Sequence, residues 1–491
     1  MPKKIVAVKK TPPQNNDTTA AQDTSWLDAE LDGSQFHDTR LDKRLRQLMG
    51  RMWSSIGESI PFACQDWANT KAAYRFLANN SVSENDILEG HFQSTAHRFA
   101  ASTGLVLVLQ DTTEFSYKRE KPEAIGLTNR QKTAQCNDYG QPHYRTQCGI
   151  LMHSNLVVTT QGLPLGLAAI KLWTRDKFKG CNALKKSINP TRMPIEGKES
   201  YRWIENMRAA TLRLNNANRC VHVGDRENDI YEFFCEAQAL NTHFLVRTCV
   251  DRLAGEGQHK VSTEMNAAPI KKLHRIEVRD HKGKVSTAIL AVKYHCINIQ
   301  PPIGKQKKYP ALTLTVIHAQ ERNAPDNRQP IDWRLITDLP VTDDKAAIEK
   351  LDWYALRWKI ETFHKVLKSC CKAEESKLRT ANRLANLIAM SCILSWRIFW
   401  MTIISRSQPD APPELAFTPT EIQLLDHLVV SKIVNATTKK LSDYVVKLAM
   451  LGGYLARKND PPPGNLVIWR GLNRLADIAL GFGAKDKLVG N

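Results

Sequence analysis

Two apolar runs that each end in an aspartate constrain the fold of this chain more than any other feature of its sequence. LVLVLQD covers residues 105–111 and ends in Asp111, and CVHVGD covers residues 220–225 and ends in Asp225. Runs rich in leucine and β-branched residues predict buried strands. The second run passes directly into a helical pattern, so Asp225 lies at a strand-to-helix junction. In a chain of 491 residues, this pattern indicates a large α/β core.

The patterns around these runs follow an order typical of a mixed α/β core. Three strands come first, then a helix, the second run and another helix. A β-rich stretch follows, and then a long helix is predicted from about Asp344 to Cys371. We therefore expect an α/β core over residues 101–372 that is interrupted by a β insertion at about 241–330.

The flanking segments differ from the core in composition and pattern. Residues 1–24 are rich in Lys, Pro, Asn, Asp and Thr without periodicity, which predicts a flexible tail. Residues 25–100 and 373–491 are mostly helical. In the first helical segment the basic residues lie largely off an apolar stripe formed by Leu41, Leu45, Leu48 and Met52. Such a basic helix either docks on DNA or presents a solvated face, and the pattern leaves both open.

The net charge of the chain indicates what kind of molecule it binds. The 69 Lys and Arg residues against 50 Asp and Glu residues give a net charge of +19, which favours a polyanion. The most apolar helical pattern, Leu384 to Ile404, is interrupted by Asn386 and Arg397, so we expect a buried helix rather than a membrane span. The N-terminal lysines precede no apolar segment, and the eleven cysteines include no C-x2-C pair. We expect an intracellular protein without a structural zinc site.

The sequence YALRWKIETFHKVLK, residues 354–368, concentrates polar chemistry on one face of the predicted long helix. Tyr354, Glu361 and Lys368 are seven residues apart and fall on one stripe, because a heptad is close to two helical turns. The residues that flank this stripe are Arg357, His364 and Lys365. The alternative is an exposed face of ion pairs, such as Glu361 with Lys365.

Three carboxylates brought together would repel one another unless they held divalent cations. Asp111, Asp225 and Glu361 offer the oxygen ligands that Mg²⁺ prefers. A pair of ions about 4 Å apart can activate the attacking oxygen and stabilise the leaving oxygen of a phosphodiester. Beside such a site, Arg357 would hold a phosphate through its fork and Lys368 as a point charge. The pattern thus favours metal-dependent chemistry on nucleic acid.

The helix signature Y-x2-R-x3-E-x6-K resembles that of the insertion-sequence-four family of transposases. Tyr354, Arg357, Glu361 and Lys368 supply it here. Further stretches similar to the Tn5 type of cut-and-paste transposase occur in order from about residue 26 to 460. They are AAYRFLANNSVS, LQDTTEFSY, CVHVGDRENDIYEF, HFLVR, WRLITDLPV and LGGYLARKND. The resemblance is specific, because the helix signature and both aspartate contexts agree together.

The resemblance implies a fold and a reaction. It implies an RNase-H-like catalytic core whose DDE triad is Asp111, Asp225 and Glu361, holding two Mg²⁺ ions for which Mn²⁺ can substitute. Transposases of this family cleave DNA at transposon ends by hydrolysis, resolve a hairpin intermediate and join the 3′ ends to target DNA. The expected partners are double-stranded DNA, both transposon ends and target, and a second copy of the chain in the synaptic complex. Dimerisation is expected through residues 373–491. No membrane partner is expected. The expected location is the bacterial cytoplasm, at the nucleoid when DNA is bound.

The resemblance also implies contacts with DNA. Trp333 matches the tryptophan on which a flipped base stacks near the hairpin, although a buried strand aromatic is the alternative. Arg247 matches a residue near the active site, with a plain salt-bridge partner as the alternative. The domain 25–100 is expected to bind the terminal inverted repeats; relatives can carry Lys and Tyr where this chain has Ser54 and Ser55, so the end sequence should differ. The full set of expected DNA contacts is Arg40, Arg44, Arg75, Arg247, Trp333, Tyr354, Arg357, His364, Lys365 and Lys368.

A basic stretch outside these motifs is a further candidate for DNA contact. Residues 171–192 contain seven basic residues against the single acidic Asp176, with Trp173 and Phe178 interleaved. This composition predicts either a loop that follows a DNA backbone or a merely solvated loop.

Two other functions are alternatives to a catalytic transposase. One is a transposase-derived DNA-binding regulator that dimerises without cutting, which the intact triad and the intact basic N-terminal domain disfavour. The other is a metal-dependent nuclease on the same core, which the end-recognition domain and the matching tryptophan disfavour.

Overall fold

The computed structural model describes residues 26–34, 36–136, 142–175, 193–279, 285–325, 328–429 and 439–489. These residues form an N-terminal helical region, a central mixed β-sheet covered by helices, and a group of C-terminal helices. The mixed α/β architecture expected from the sequence is confirmed at this level.

The N-terminal region is built from helices that begin at side-chain caps. Asp38 accepts a hydrogen bond from the backbone N–H of Arg40, and Ser83 forms a reciprocal capping box with Asp86. The predicted apolar stripe is confirmed, since Leu45 is 1% exposed in the core of this region. The helices are α1 Trp26–Leu31, α2 Thr39–Ser54, α3 Ile60–Cys64, α4 Trp67–Leu77 and α5 Glu84–Ala101.

The strands of the central sheet are β1 Val106–Tyr117, β2 Leu127–Cys136, β3 Pro142–Thr159, β4 Pro164–Trp173, β5 Cys220–Gly224, β6 His243–Arg247, β7 Leu253–Ala254, β8 His259–Lys260, β9 Lys272–Arg279, β10 Val285–Ile299, β11 Leu312–Arg322 and β12 Asp332–Thr337. Their order is β2-β3-β1-β5-β6-β12-β11-β10-β7-β8, with β4 beside β3 and β9 beside β10. β1 pairs antiparallel with β3 and parallel with β5, and β5 pairs parallel with β6. The strands predicted as an insertion continue this same sheet, because β12 pairs antiparallel with β6.

The register of β1 and β5 brings the two aspartates to the same level. The parallel pairing matches Leu109 with Val223, so the same register continued by two residues sets Asp111 beside Asp225. β5 ends at Gly224, whereas β1 continues, and Asp225 therefore begins a loop. A loop that leaves a parallel strand in the middle of a sheet opens the crevice in which α/β proteins bind ligands.

The remaining helices are α6 Arg202–Leu214, α7 Tyr231–Ala239, α8 Val261–Ala267, α9 Asp344–Ala355, α10 Trp358–Ser369, α11 Ala381–Ser407, α12 Pro419–Leu428, α13 Leu441–Leu451 and α14 Asn465–Val489. They cover both faces of β1, whose side chains alternate. Leu107 and Leu109 belong to the core that includes α10 and α11, whereas Val106 and Val108 pack with α6. Asp111 therefore shares the face of Leu109 and points towards α10.

Helix α11 passes through the core. Among the described helices it is the one that is long and apolar enough to span a membrane by length and composition, and 94% of its most apolar window is buried inside the protein. Its polar interruptions are satisfied internally: Asn386 donates to the carbonyls of Leu77 and Val82, and Arg397 donates to the carbonyl of Ala416. The prediction of a buried helix is confirmed.

The prediction of one continuous helix before α11 is wrong. The chain forms α9 and α10, which are separated by a turn at residues 356–357. Hydrogen bonds of the i to i+3 type tighten the chain here, because the N–H of Arg357 donates to the carbonyl of Tyr354 and the N–H of Ile360 donates to that of Arg357. No proline or glycine marks the break, so the pattern of apolar residues does not reveal it. Tyr354 lies in the first helix and Glu361 in the second.

Candidate active site

Asp111 occupies a mostly buried position between the sheet and α10. Its carboxylate lies 3.9 Å from Nη1 of Arg357 and 3.8 Å from Nδ1 of His364. Burial raises the pKa of Asp111 to about 7; the Arg357 guanidinium opposes this shift, and the negative charges of Asp225 and Glu361 add to it. The three carboxylates predicted as a triad are therefore close enough to influence the charge of Asp111.

Arg357 joins two of these carboxylates. Its Nη2 donates to Oε1 of Glu361 at 2.5 Å, one helical turn along the chain, and its side chain is only 11% exposed. The guanidinium therefore balances part of the negative charge of Glu361 and Asp111. Glu361 does form an ion pair along its helix, as the alternative interpretation predicted. Its partner is Arg357, however, and not the exposed Lys365.

Asp225 is oriented by the loop that follows β5. Its Oδ1 accepts the backbone N–H of Glu227 at 2.9 Å and so begins a short 3₁₀ turn over Arg226–Asn228. In the sequence GDREND, Gly224 ends the buried strand and the next residue, Asp225, caps the turn. This geometry holds the carboxylate at the edge of the crevice.

His364 and Lys368 lie behind the triad rather than out in solvent. His364 is buried, its Nε2 is 2.8 Å from the hydroxyl of Ser154, and burial lowers its pKa to about 3. This placement suits a neutral support for Asp111 better than direct contact with DNA. Lys368 donates from Nζ to the carbonyl of Glu114 at 2.5 Å, which ties α10 to β1.

Trp333, Tyr354 and Arg247 form one packed group beside the site. The rings of Trp333 and Tyr354 meet edge to face with centroids 5.4 Å apart. Burial raises the pKa of the Tyr354 phenol, while its hydrogen bonds with Arg357 and Arg247 oppose the shift. Arg247 also donates from Nη2 to the carbonyl of Asp332 at 2.9 Å. Trp333 is half-buried, so part of its side chain remains accessible to solvent.

The donor set fits a hard divalent cation in its chemistry. Asp111, Asp225 and Glu361 present carboxylate oxygens. The pKa of Asp111 is raised first by burial and further by the charges of Asp225 and Glu361, and a bound cation would lower it. Within the described ranges, no three His, Cys, Asp or Glu side chains are grouped as closely as the ligands of one metal ion. Arg357 takes up the carboxylate of Glu361 in this arrangement.

The predicted end-binding arginines lie on the N-terminal helices. Arg40 is exposed and pairs with Asp38 at 2.8 Å, Arg44 is half-buried, and Arg75 is exposed near the end of α4. Helix α4 also presents Trp67, which is 77% exposed. An exposed tryptophan beside basic side chains is typical of a surface that meets nucleic acid. Sequence analysis missed this residue, although an aromatic at the start of a basic helix is a usable signal.

The structure brings further residues to the aspartates that sequence analysis did not select. Thr112 follows Asp111, and Glu227 is two residues after Asp225, so their positions beside the motifs are a signal. Arg202 hydrogen-bonds both of them, yet nothing in the sequence marks it, because it lies at the start of a helix far from either motif.

Most of the basic stretch 171–192 lies outside the described residues. Of its basic side chains, Lys171 pairs with Glu205, and Arg175 pairs with Glu199 at 2.5 Å. These two are engaged with the protein, and the DNA-tracking interpretation stays a prediction for the others.

Comparison with known families identifies both ends of the chain. Residues 23–82 match the transposase DNA-binding family, a segment that contains α1 to α4. Residues 393–485 match the Tn5 transposase dimerisation domain, a segment that begins within α11 and ends within α14. Both matches agree with the resemblance seen in the motifs between them. Together with those motifs, the two matches support a transposase of the Tn5 type.

Proposed function

We propose that this transposase is a catalytic DDE enzyme of the cut-and-paste type. It would bind inverted repeats at transposon ends, cleave them by phosphodiester hydrolysis through a hairpin intermediate, and join the 3′ ends to target DNA. One observation carries the proposal: the register of β1 and β5 sets Asp111 beside Asp225, and Arg357 bonds Glu361 while lying 3.9 Å from Asp111. The chain that holds this group matches transposase domains towards both ends. A sheet with two aspartates on adjacent parallel strands is compatible with an RNase-H-like core, which we include in the proposal.

The residues of the site divide the work by their chemistry. Asp111, Asp225 and Glu361 would hold two Mg²⁺ ions, or Mn²⁺ in their place, and bound metal would supply activation of the attacking oxygen and stabilisation of the leaving oxygen. The guanidinium of Arg357, which bonds Glu361 in this structure, has the planar geometry that suits a phosphate. A DNA phosphate would compete with Glu361 for this guanidinium. His364 is buried and neutral, so it supports Asp111 without adding charge.

Recognition of DNA would use surfaces away from the carboxylates. The matched DNA-binding domain presents Arg44 and Arg75 for transposon ends, and the matched dimerisation domain would pair two copies in the synaptic complex. Trp333 packs against Tyr354 and is half-buried, and it would stack a flipped base at the hairpin stage. We expect the protein to act in the bacterial cytoplasm, at the nucleoid when bound to DNA.

The test is cleavage of a linear DNA that carries the terminal inverted repeats of the element. Asp111→Ala, Asp225→Ala and Glu361→Ala should each abolish cleavage with Mg²⁺ and with Mn²⁺ while end binding persists, because a lost carboxylate ligand has no substitute. The exposed Glu375 provides a matched control, and Glu375→Ala should cut like the parent. Normal cutting by any triad variant would remove that residue from the site, and normal cutting by all three would overturn the proposal.

A further inference from the structure

One guanidinium bridges the segments that follow both aspartates. Arg202, at the start of α6, has a side chain that is only 10% exposed. Its Nε donates to the hydroxyl of Thr112 at 3.1 Å, and its Nη2 donates to a carboxylate oxygen of Glu227 at 2.5 Å. Its Nη1 donates to the carbonyl of Glu199 at 3.0 Å, so every nitrogen of the fork has an acceptor. Arg202 approaches β1 from the face opposite to α10, because Thr112 alternates with Asp111 along the strand.

The two residues that Arg202 bonds lie just after the two aspartates in the sequence. Thr112 directly follows Asp111 in β1, and the backbone N–H of Glu227 donates to Oδ1 of Asp225 at 2.9 Å. Arg202 therefore holds the side chain of the residue that follows Asp111 and the side chain of the residue whose backbone orients Asp225. Because the contacts are made by one rigid planar group, they set the distance between the two supporting segments.

A buried chain of hydrogen bonds continues from Arg202 beneath β1. The hydroxyl of Thr112 accepts from Arg202 and is 2.9 Å from Nδ1 of His153, and Nε2 of His153 is 3.3 Å from the amide oxygen of Gln110. The amide nitrogen of Gln110 donates to Nδ1 of His222 at 3.0 Å. Arginine has no acceptor, so the Thr112 hydroxyl accepts from Arg202 and donates to His153. Its donation fixes which group donates in each of the following hydrogen bonds. Both imidazoles are buried and their pKa values are lowered by that burial, so both are neutral.

We propose that Arg202 is a positioning residue for the transposition reaction, one that sets the separation of the Asp111 and Asp225 carboxylates through Thr112 and Glu227. This inference rests on the proposed function of the two aspartates. Lysine at this position would keep the charge but lose the fork, so it would not hold both acceptors at one distance. The substituted protein should fold and bind DNA, and its defect should lie in metal binding and in cleavage.

The test compares Arg202→Lys with Arg208→Lys in the full-length protein. Arg208 lies on the same helix and bonds Glu236 at 2.6 Å, so it offers the same kind of ion pair away from the aspartates. Free Mn²⁺ measured by electron paramagnetic resonance gives the affinity of the protein alone, and single-turnover cleavage of a pre-bound end gives the rate. Residues that orient metal ligands typically affect affinity or rate about 10- to 100-fold. We expect a loss of that size for Arg202→Lys, and parent behaviour for Arg208→Lys.

A second pair of variants tests each arm of the bridge with smaller changes. Thr112→Val removes the hydroxyl and should reproduce the defect, whereas Thr112→Ser retains it and should restore parent affinity and rate. Glu227→Gln changes a largely exposed carboxylate and should weaken Mn²⁺ binding without lowering the midpoint of thermal unfolding. These variants decide the question if Arg202→Lys does not fold.

The inference is overturned if Arg202→Lys, or both Thr112→Val and Glu227→Gln, bind Mn²⁺ and cut like Arg208→Lys. Failure of the inference alone leaves Asp111→Ala and Asp225→Ala inactive. Failure of the proposed function is different, because those two alanine variants would then cut DNA normally.

Discussion

Nη2 of Arg357 lies 2.5 Å from Oε1 of Glu361, and the same guanidinium reaches to 3.9 Å from Asp111. A positive charge this close to Asp111 lowers the pKa of that carboxyl relative to the same site without it. Burial nevertheless raises the pKa of Asp111 to about 7, so this carboxyl titrates near neutral pH in the protein without metal. Arg357 therefore opposes the effect of burial and makes Asp111 easier to deprotonate than it would be without the guanidinium.

Substitution of Arg357 should move the pH dependence of cleavage. Arg357→Gln removes the charge that opposes the raised pKa of Asp111, so that pKa should rise further and more of the carboxyl should be protonated at neutral pH. With Mg²⁺ below saturation, the acidic limb of the pH–rate profile should shift to higher pH, with a loss of about 10- to 100-fold at neutral pH. Arg357→Lys should shift the limb less, because it keeps the charge. Lys365→Gln, on the exposed side of the same helix, should leave the limb in place; an equal shift there would refute the explanation.

Trp333→Ala should slow one stage of the reaction more than the others. Loss of a base stacked on an aromatic ring corresponds to about 1–3 kcal/mol, so hairpin formation or opening should slow more than the first nick. Gel analysis of nicked, hairpin and opened species over time measures each stage. Trp358→Ala is the matched control, because Trp358 is 63% exposed on α10. Equal slowing of all stages with a lower midpoint of thermal unfolding would assign Trp333 to the core instead.

Arg44→Ala and Arg75→Ala should weaken binding to the transposon end without altering the carboxylate site. A lost phosphate contact should reduce the slope of log affinity against log salt by about 0.9, whereas a lost base contact should cost about 1–3 kcal/mol and relax specificity at one position. Salt titrations of binding to cognate and scrambled ends distinguish a lost phosphate contact from a lost base contact. Glu361→Ala is the control, because it should bind both ends like the parent. Parent-like binding by both arginine variants at every salt concentration would mean that another surface reads the end.

Glu30→Gln should destabilise the protein in a pH-dependent way. Glu30 is 3% exposed and bonds His91 at 2.5 Å and Arg98 at 2.6 Å, which joins α1 to α5. Burial raises the pKa of Glu30, but His91 and Arg98 outweigh it and the net pKa is lowered. A lowered carboxyl pKa gives stability that is present above its unfolded value, about 4.3, and is lost as the pH falls through the folded value.

The loss of unfolding free energy in Glu30→Gln should therefore be about 2 kcal/mol at neutral pH and should shrink below about pH 4. Denaturant unfolding at both pH values measures it. Glu58→Gln alters a half-exposed carboxylate 3.8 Å from Lys372 and should change stability little at either pH. A Glu30→Gln deficit that is equal at both pH values would show that packing, and not charge, is responsible.

Several features of the site were predictable because they are encoded locally. The apolar runs before Asp111 and Asp225 form β1 and β5, and an apolar run reports burial whatever surrounds it. The buried character of α11 was also predictable from its composition, although the partners of Asn386 and Arg397 were not. The triad assignment came from a resemblance in motifs, and its catalytic role stays a proposal.

Other features could not be predicted, because they depend on residues distant in the chain. The pattern of residues 354–368 shows helical periodicity through the turn at Arg357, since the backbone there stays in the helical region and no proline or glycine signals the change. Packing between distant elements decides that Tyr354 meets Trp333 and that the Arg357 guanidinium, which pairs with Glu361 one helical turn away, also reaches Asp111. Likewise, His364 follows the polar stripe in sequence yet is buried against Ser154.

The sequence by itself therefore determined which segments become strands and helices and where the two aspartates lie in them. It also determined the net positive charge, which favours binding to a polyanion. Only the tertiary structure decided which cation faces which carboxylate and which side chains stand behind them, as Arg202 does behind Asp111 and Asp225. The physical reason is range. Periodicity and burial are set by neighbours within a few residues, whereas hydrogen bonds and ion pairs form between whichever polar groups the packing of distant elements leaves within about 3 Å of each other.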